Sequence, residues 1–105
     1  MSRPTVSEKA FQQSVIQLAR LTRWRVFYDT EPVGSPPGWP DLTLCRDGVL
    51  LFRELKTDTG RLSPEQRRWE DDLQACGMDV SVWRPRDWPV IEATLKGQLH
   101  LEAAS

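Results

Sequence analysis

The amino-acid sequence predicts an α/β fold, with a mixed four-stranded sheet flanked by helices. Two segments carry apolar residues at helical spacing, and several short runs are rich in aromatic and β-branched residues, as strands are. An Asp-Gly pair lies between two of those runs, which is a strong hairpin signal. The predicted element order is α-β-β-β-α-β-α. At 105 residues, the chain is expected to form a single domain over residues 1–105.

The first helix is expected to begin near Ser7, because Thr5 and Glu8 are spaced as a capping box. Residues 24–28 are rich in aromatic and β-branched side chains and predict the first strand. Residues 29–38 contain three prolines and two glycines, which predict a loop. The inward stripe of the helix is predicted to consist of Phe11, Val15, Leu18 and Thr22.

The second half of the chain carries clear helix and strand signals. Residues 41–46 and 49–56 are predicted to pair as two strands around the Asp-Gly turn. Ser63 and Gln66 are spaced as a capping box for a second helix, which should end near Cys76. The sequence then predicts a short strand over residues 79–83 and a last helix.

The predicted hairpin brings two acidic residues together. A two-residue turn fixes the register by pairing Arg46 with Val49. Counting back along both strands places Asp41 directly opposite Glu54, on the same face of the sheet. Lys56 lies two residues further on and shares that face. Opposed like charges are destabilising unless something neutralises them, and a divalent cation with oxygen ligands would do so.

An alternative is that Asp41 simply begins a strand, while Glu54 and Lys56 belong to a solvated face. Leu50 and Phe52 share the face of Glu54, which indicates that this face is at least partly buried. Because unpaired buried charge is costly, their presence there favours a site. The geometry alone leaves both interpretations open.

Each predicted helix adds one polar residue on its inward stripe. Gln66 lies on the stripe of the second helix, and Glu8 lies at the start of the stripe of the first. Both positions also suit a capping box, which is a sufficient explanation for either residue alone. Both residues are expected to point at the sheet face of Asp41 and Glu54, which makes them candidates for the same site.

Composition and charge restrict the function without deciding it. The net charge is −1 and the isoelectric point about 5.8, which argues against a protein that coats nucleic acid by bulk electrostatics. A local basic rim around an acidic site remains compatible with that balance. Cys45 and Cys76 are expected to be buried free thiols. No apolar run reaches membrane-spanning length and the first residues lack a signal-peptide pattern, so a cytoplasmic protein is expected.

Four sequence elements occur in a recognisable order. They are an early helical Glu8, a G-x-P-D motif ending at Asp41, an E-L-K motif at 54–56, and an S-x-x-Q-x-x-W motif from Ser63 to Trp69. This ordered set resembles the VRR-NUC family of the PD-(D/E)XK nucleases, and the matching segments extend to about Trp83. The resemblance implies a restriction-endonuclease-like core.

The resemblance also implies a role for each matching residue. Asp41 and Glu54 would bind a catalytic Mg²⁺ or Mn²⁺, with the backbone carbonyl of Leu55 as a candidate third ligand. Lys56 would position or activate the attacking water and stabilise charge on the scissile phosphate. The implied catalytic set is Asp41, Glu54, Lys56, Glu8 and Gln66.

The function implied is a metal-dependent DNA endonuclease that prefers branched DNA such as Holliday junctions or flaps. Stand-alone relatives of this size are similar to phage and bacterial proteins, and some act as dimers. A homodimer in the cytoplasm of a bacterial or phage-infected cell is therefore expected. The alternative is a DNA-binding module on the same fold that is non-catalytic or depends on a partner protein.

Arginines near the predicted site are candidates for DNA contacts. Arg61, Arg67 and Arg68 flank the loop and the first turns of the second helix, and the last two lie off its inward stripe. Solvated surface charge is the alternative for any one of these arginines. Two further basic groups are Arg20, Arg23 and Arg25, and Arg84 and Arg86.

Overall fold

The computed structural model describes residues 6–28 and 36–97. Most of the proline-rich loop predicted over residues 29–38 lies outside these ranges, as does Thr5. Within them, no helix combines the length and the apolar character needed to cross a membrane.

Helix α1 spans Glu8–Leu21 and begins where the sequence predicts, but with a different cap. The Ser7 hydroxyl accepts a hydrogen bond of 3.1 Å from the Ala10 backbone N–H. Glu8 is therefore the first residue of the helix rather than the third, and the capping-box explanation for Glu8 is wrong. The buried residues of α1 are Phe11, Val15, Ile16 and Ala19.

Four strands form one mixed sheet in the order β1-β2-β3-β4. The first three are antiparallel, and β4 runs parallel to β3. A parallel partner requires a crossover connection, which the helix between β3 and β4 provides. The predicted α/β class and element order are confirmed. The strands are β1 (Arg25–Tyr28), β2 (Leu42–Arg46), β3 (Val49–Leu55) and β4 (Asp79–Trp83).

The hairpin between β2 and β3 has the predicted register. Asp47 and Gly48 both have positive φ, at 49° and 81°, as the two central residues of a type I′ turn do. Arg46 pairs with Val49, and the pairing continues to Leu42 opposite Arg53. Local turn chemistry therefore sets which residues face each other at the far end of the hairpin.

Helix α2 spans Pro64–Ala75 and begins with the predicted capping box. The Ser63 hydroxyl accepts from the Gln66 N–H at 3.1 Å, and the Gln66 side chain accepts from the Ser63 N–H at 2.9 Å. After β4, a 3-10 turn over Pro85–Asp87 leads into α3, which spans Trp88–Leu95.

The main core lies on one face of the sheet, beneath α1 and α3. Strand residues of β2 and β3 alternate between this face and the other, so every second residue enters the core. Trp24 joins it and donates its indole N–H to the Leu95 carbonyl at 2.8 Å. The buried strand residues of this core are Leu42, Leu44, Leu51, Leu55 and Trp83.

The opposite face is covered less completely. Helix α2 packs chiefly on β4, and none of its residues is fully buried. On this face, Leu50 of β3 is 43% exposed, and its partner on β2, Cys45, is exposed as well. Cys76, at the end of α2, is exposed as well. The prediction of two buried thiols is therefore wrong, because α2 does not extend over the strand that carries Cys45.

One charged residue lies within the core face. Arg53 is 5% exposed, forms an ion pair of 3.0 Å with Asp79, and lies 4.8 Å from the ring centre of Trp83. Burial lowers the pKa of Arg53, and the Asp79 carboxylate opposes that shift. The Arg53 Nε has no hydrogen-bond partner among the described residues. Sequence patterns did not predict this buried arginine.

Candidate active site

Asp41 and Glu54 meet at the end of the hairpin, as the predicted register requires. The strand pairing ends at Leu42 and Arg53, so the next residue on each strand stands opposite the other. An Asp41 carboxylate oxygen, Oδ2, accepts a hydrogen bond of 2.8 Å from the Leu55 backbone N–H. That bond fixes Asp41 against β3, beside Glu54.

The Glu54 carboxyl group is held in a strongly perturbed environment. It is 4% exposed. Burial raises the pKa of Glu54 to about 9, and both a hydrogen bond with Asp41 and the Asp41 charge act in the same direction. Lys56 lowers this pKa, and Glu8 raises it. Negative charge therefore accumulates around Glu54, which a bound cation would relieve.

Gln66 caps helix α2 and also contacts Glu54 of the acidic pair. Its side-chain oxygen accepts from the Ser63 N–H, while its amide nitrogen donates to the Glu54 Oε1 at 3.0 Å. The two interpretations that the sequence left open are compatible, because the two ends of the amide make different contacts. Helix α2 is therefore tied to the carboxylate of β3 through one side chain.

Gly38 brings the segment before Asp41 against the start of α2. A Cβ at this position would lie 2.5 Å from the Glu65 carbonyl carbon and 2.7 Å from the Gln66 nitrogen. Its φ of 91° is also a conformation that glycine adopts readily. Sequence reasoning gave Gly38 no role, although its place in the G-x-P-D motif was a usable signal.

Glu8 reaches the cluster from the other side of the sheet. Helix α1 packs on the core face, whereas α2 packs on the opposite face, so the expectation that both helices point at one face is wrong. Glu8 lies at the N-terminal end of α1, where its charge still influences the pKa of Glu54. The site is therefore approached by both helices around the end of the sheet.

Lys56 follows β3 directly and lies over a tight turn. Its backbone N–H donates to the Trp83 carbonyl at 3.1 Å, which continues the ladder with β4 by one residue. Its Cδ is 3.6 Å from where a Cβ would stand on Gly60. The lysine stem therefore lies along the turn while its charge acts on Glu54.

The donor set suits a hard cation with few protein ligands. Among the described residues, no three His, Cys, Asp or Glu side chains form a ready metal cluster. Mg²⁺ is commonly held by one or two carboxylates together with water and substrate phosphates. Asp41 and Glu54 provide two hard oxygen donors. Burial and the neighbouring Asp41 raise the pKa of Glu54, and a bound cation would favour its ionised form.

The arginines of the three basic groups named in the sequence have different surroundings in the structure. Arg61, Arg67 and Arg68 are exposed, as a DNA-contacting residue must be. Arg84 and Arg86 instead donate to carbonyls of residues 57–60. Arg20, of another basic group, lines a groove of about 830 Å³ beside α1 and the end of β1, together with Lys9, Gln12, Gln13, Ile16, Gln17, Leu21 and Tyr28.

Trp39 packs on the α2 face rather than standing free in a groove. Its ring meets Phe52 and Trp69 edge-on, with ring centres 5.9 and 4.9 Å apart. The Trp69 indole N–H donates to the Pro37 carbonyl at 3.1 Å. Trp39 nevertheless remains 39% exposed, so it covers this small cluster and contacts solvent beside Asp41.

Comparison with known proteins places this arrangement in a family. A search among curated proteins finds no match. A solved structure described as a VRR_NUC domain protein superposes with a TM-score of 0.66 and 20% identity, covering 88% of this chain and 92% of the other. That likeness supports the restriction-endonuclease-like fold. The VRR-NUC domain model matches residues 4–87. The chain therefore belongs to the VRR-NUC family of nuclease domains.

Proposed function

We propose that the protein is a metal-dependent DNA endonuclease of the PD-(D/E)XK type that hydrolyses phosphodiester bonds. The observation that carries the proposal is the convergence of Asp41, Glu54 and Lys56 at one end of the sheet. Two carboxylates and a lysine are the groups that metal-assisted phosphodiester hydrolysis needs. The nuclease family to which the chain belongs supports the same reaction class.

In the proposed mechanism, Asp41 and Glu54 would hold Mg²⁺ or Mn²⁺, and the Leu55 carbonyl would be a third ligand. When bound, the cation supplies a water of lowered pKa and a positive charge for the phosphate oxygens. Lys56 orients the attacking water and adds a fixed positive charge where negative charge develops on the phosphate. Gln66 keeps Glu54 oriented through its 3.0 Å hydrogen bond.

Glu8 completes the proposed site from α1. Its charge already acts on the Glu54 carboxyl group. In this proposal the Glu8 carboxylate would accept a hydrogen bond from the water that the cation supplies, and would orient it without direct ligation. This role differs from that of Asp41, whose oxygen is fixed by the Leu55 N–H.

The proposed substrate is branched DNA such as a Holliday junction or a flap. The exposed Arg61, Arg67 and Arg68 provide contacts to phosphate, which position DNA without reading its sequence. Selection by shape is compatible with a protein whose net charge is only −1. Equal cleavage rates on linear and branched duplexes would contradict this part of the proposal.

We also propose that the active form is a homodimer, which would double the number of sites and enlarge the basic surface. The uncovered side of the sheet leaves Phe27 65% exposed and Leu50 43% exposed, and dimer interfaces bury apolar surface of this kind. Light scattering that finds only monomers at the concentrations of the cleavage assay would contradict it.

The test is cleavage of labelled four-way-junction, flap and linear DNA with Mg²⁺, Mn²⁺ or EDTA. We expect the wild type to cut in either metal and to stop in EDTA. Lys56→Ala should lose activity about 100-fold or more, as removal of one charge-stabilising group does. Lys96→Ala is the matched control, because Lys96 pairs with Glu92 on α3 at the other end of the sheet.

A folded wild type that binds DNA but cuts none of these substrates would overturn the proposal. The protein would then be a non-catalytic or partner-dependent DNA-binding module on the same fold. Equal activity of the wild type and Lys56→Ala would point to a contaminating nuclease, and would likewise remove the support for the proposed site.

A further inference from the structure

The loop after Lys56 forms a hydrogen-bonded turn over residues 57–60. The Gly60 N–H donates to the Thr57 carbonyl at 3.3 Å and to the Thr57 hydroxyl at 3.0 Å. The Lys56 stem lies against this turn, since its Cδ is 3.6 Å from the place of a Cβ on Gly60. The conformation of the turn therefore limits where the lysine side chain can lie.

The Arg84 side chain stabilises this turn through two hydrogen bonds. One guanidinium nitrogen, Nη1, donates to the carbonyls of Thr57 and Gly60, each at 2.6 Å. Hydrogen bonds from a charged donor are shorter and stronger than neutral ones. The Thr57 carbonyl also accepts from the Gly60 N–H, whereas Arg84 is the donor that the Gly60 carbonyl has among the described residues.

The backbone of Arg84 is itself anchored. Its N–H donates to the Asp87 carboxylate at 2.9 Å, and the preceding residue, Trp83, is buried in β4 and accepts from the Lys56 N–H. The arginine therefore extends from a fixed strand end, and its side chain bridges the two ends of the turn. Arg84 and Lys56 start from adjacent, hydrogen-bonded strand ends.

We propose that Arg84 is a positioning residue for Lys56: it fixes the 57–60 turn on which the lysine side chain rests. This inference depends on the proposed nuclease function for its catalytic consequence. Both hydrogen bonds come from the single nitrogen Nη1, whose two hydrogens can serve two acceptors. Because its Nη1 is engaged by the turn, Arg84 acts on turnover rather than on DNA affinity.

Three variants separate this role from a phosphate contact. Arg84→Gln removes the charge, and Arg84→Lys keeps the charge but loses the planar group. Arg86→Gln is the matched control, because Arg86 is exposed and its hydrogen bonds to the turn go to Asp58 and not to Thr57 or Gly60. Each is compared with the wild type in single-turnover cleavage, and in DNA binding with Ca²⁺ replacing Mg²⁺.

We expect Arg84→Gln to lower the cleavage rate constant about 10- to 100-fold, as a small misplacement of a catalytic group does. Its DNA dissociation constant should stay within about 2-fold of the wild type, since no phosphate contact is lost. Arg84→Lys should recover part of the rate, and Arg86→Gln should cleave within about 3-fold of the wild type.

Amide hydrogen exchange supplies a readout that does not depend on activity. In Arg84→Gln the Gly60 amide should exchange faster, while the Lys56 amide, bonded to Trp83, should keep its protection. An unchanged Gly60 exchange rate would overturn the proposal, even if the wild type proved to cut no DNA. If the Gln variant fails to fold, the same measurements on Arg84→Lys decide the matter.

Two outcomes of the kinetic arm would also overturn the proposal. One is an unchanged cleavage rate in Arg84→Gln. The other is a larger DNA dissociation constant in Arg84→Gln, together with a slope of log K against log salt that is smaller by about one unit. That result would identify Arg84 as a phosphate contact. Failure of the wild type to cleave would instead count against the proposed function, and the exchange rate of Gly60 would then decide whether Arg84 holds the turn.

Discussion

The side-chain amide of Gln66 donates a hydrogen bond of 3.0 Å to the Glu54 carboxylate and so joins α2 to β3 at the candidate site. The same side chain accepts from the Ser63 N–H and caps the helix. A structural contact and a site contact are thus made by opposite ends of one amide group. Substitutions that separate these two contacts can distinguish their effects.

Gln66→Ala should lower the free energy of unfolding by about 1–2 kcal/mol, because two hydrogen bonds are lost. It should also lower the cleavage rate about 10-fold or more, because Glu54 loses the donor that orients it. Ser63→Ala is the control, since it removes the cap at a cost of about 1 kcal/mol but leaves the contact to Glu54 intact. Thermal unfolding and single-turnover cleavage measure the two effects. Equal activity losses in both variants would contradict the site role of Gln66.

The stability of the metal-free protein should depend on pH through Glu54. Its pKa rises from a usual value of 4.5 to about 9, so between these values the folded protein holds a proton that the unfolded chain has released. The free energy of unfolding should therefore fall as pH rises across this window, by at most about 1.4 kcal/mol per pH unit.

Glu54→Gln should abolish this slope, because an amide does not titrate. Urea unfolding in EDTA at pH 6, 7 and 8 measures it, with Glu92→Gln, a half-buried carboxylate on α3, as the control. Excess Mg²⁺ should flatten the wild-type slope, since bound cation favours the ionised carboxylate. Parallel slopes for the wild type and Glu54→Gln in EDTA would contradict the raised pKa.

Gly38→Ala should disturb the site through the start of α2. Its Cβ would lie within 2.7 Å of the Glu65 and Gln66 backbone, and its φ of 91° is unfavourable for alanine. We expect a loss of about 3 kcal/mol or more, together with reduced cleavage. Gly48→Ala shares the positive φ but has nothing within 4 Å, so it should lose only about 1–2 kcal/mol and keep activity. Equal losses in the two variants would show that close packing at Gly38 is unimportant.

Arg67→Gln and Arg68→Gln should weaken DNA binding without changing turnover at saturation. Each exposed arginine that contacts a phosphate contributes about one unit to the slope of log K against log salt. Fluorescence anisotropy at several salt concentrations measures the slope. Lys96→Gln, at the opposite end of the sheet, should leave it unchanged. If both arginine variants show the same slope as the wild type, DNA binds to another surface of the protein.

Local interactions made much of this protein predictable. The Asp47-Gly48 turn sets the hairpin register, and from that register the approach of Asp41 to Glu54 follows by counting. The capping box at Ser63 is contained within four residues of sequence. Both features depend on residues only a few positions apart, so they can be predicted from the sequence without knowledge of the tertiary structure.

Contacts distant in sequence were decided by the tertiary structure alone. The sequence did not reveal that α1 and α2 lie on opposite faces, nor that Arg84 bonds to carbonyls 24 and 27 residues earlier. Cys45 became exposed because α2 does not extend over its strand. The sequence by itself determined which residues are paired and capped, through short-range geometry. Only packing between distant segments decided which face each helix covers and which arginines remain available to solvent.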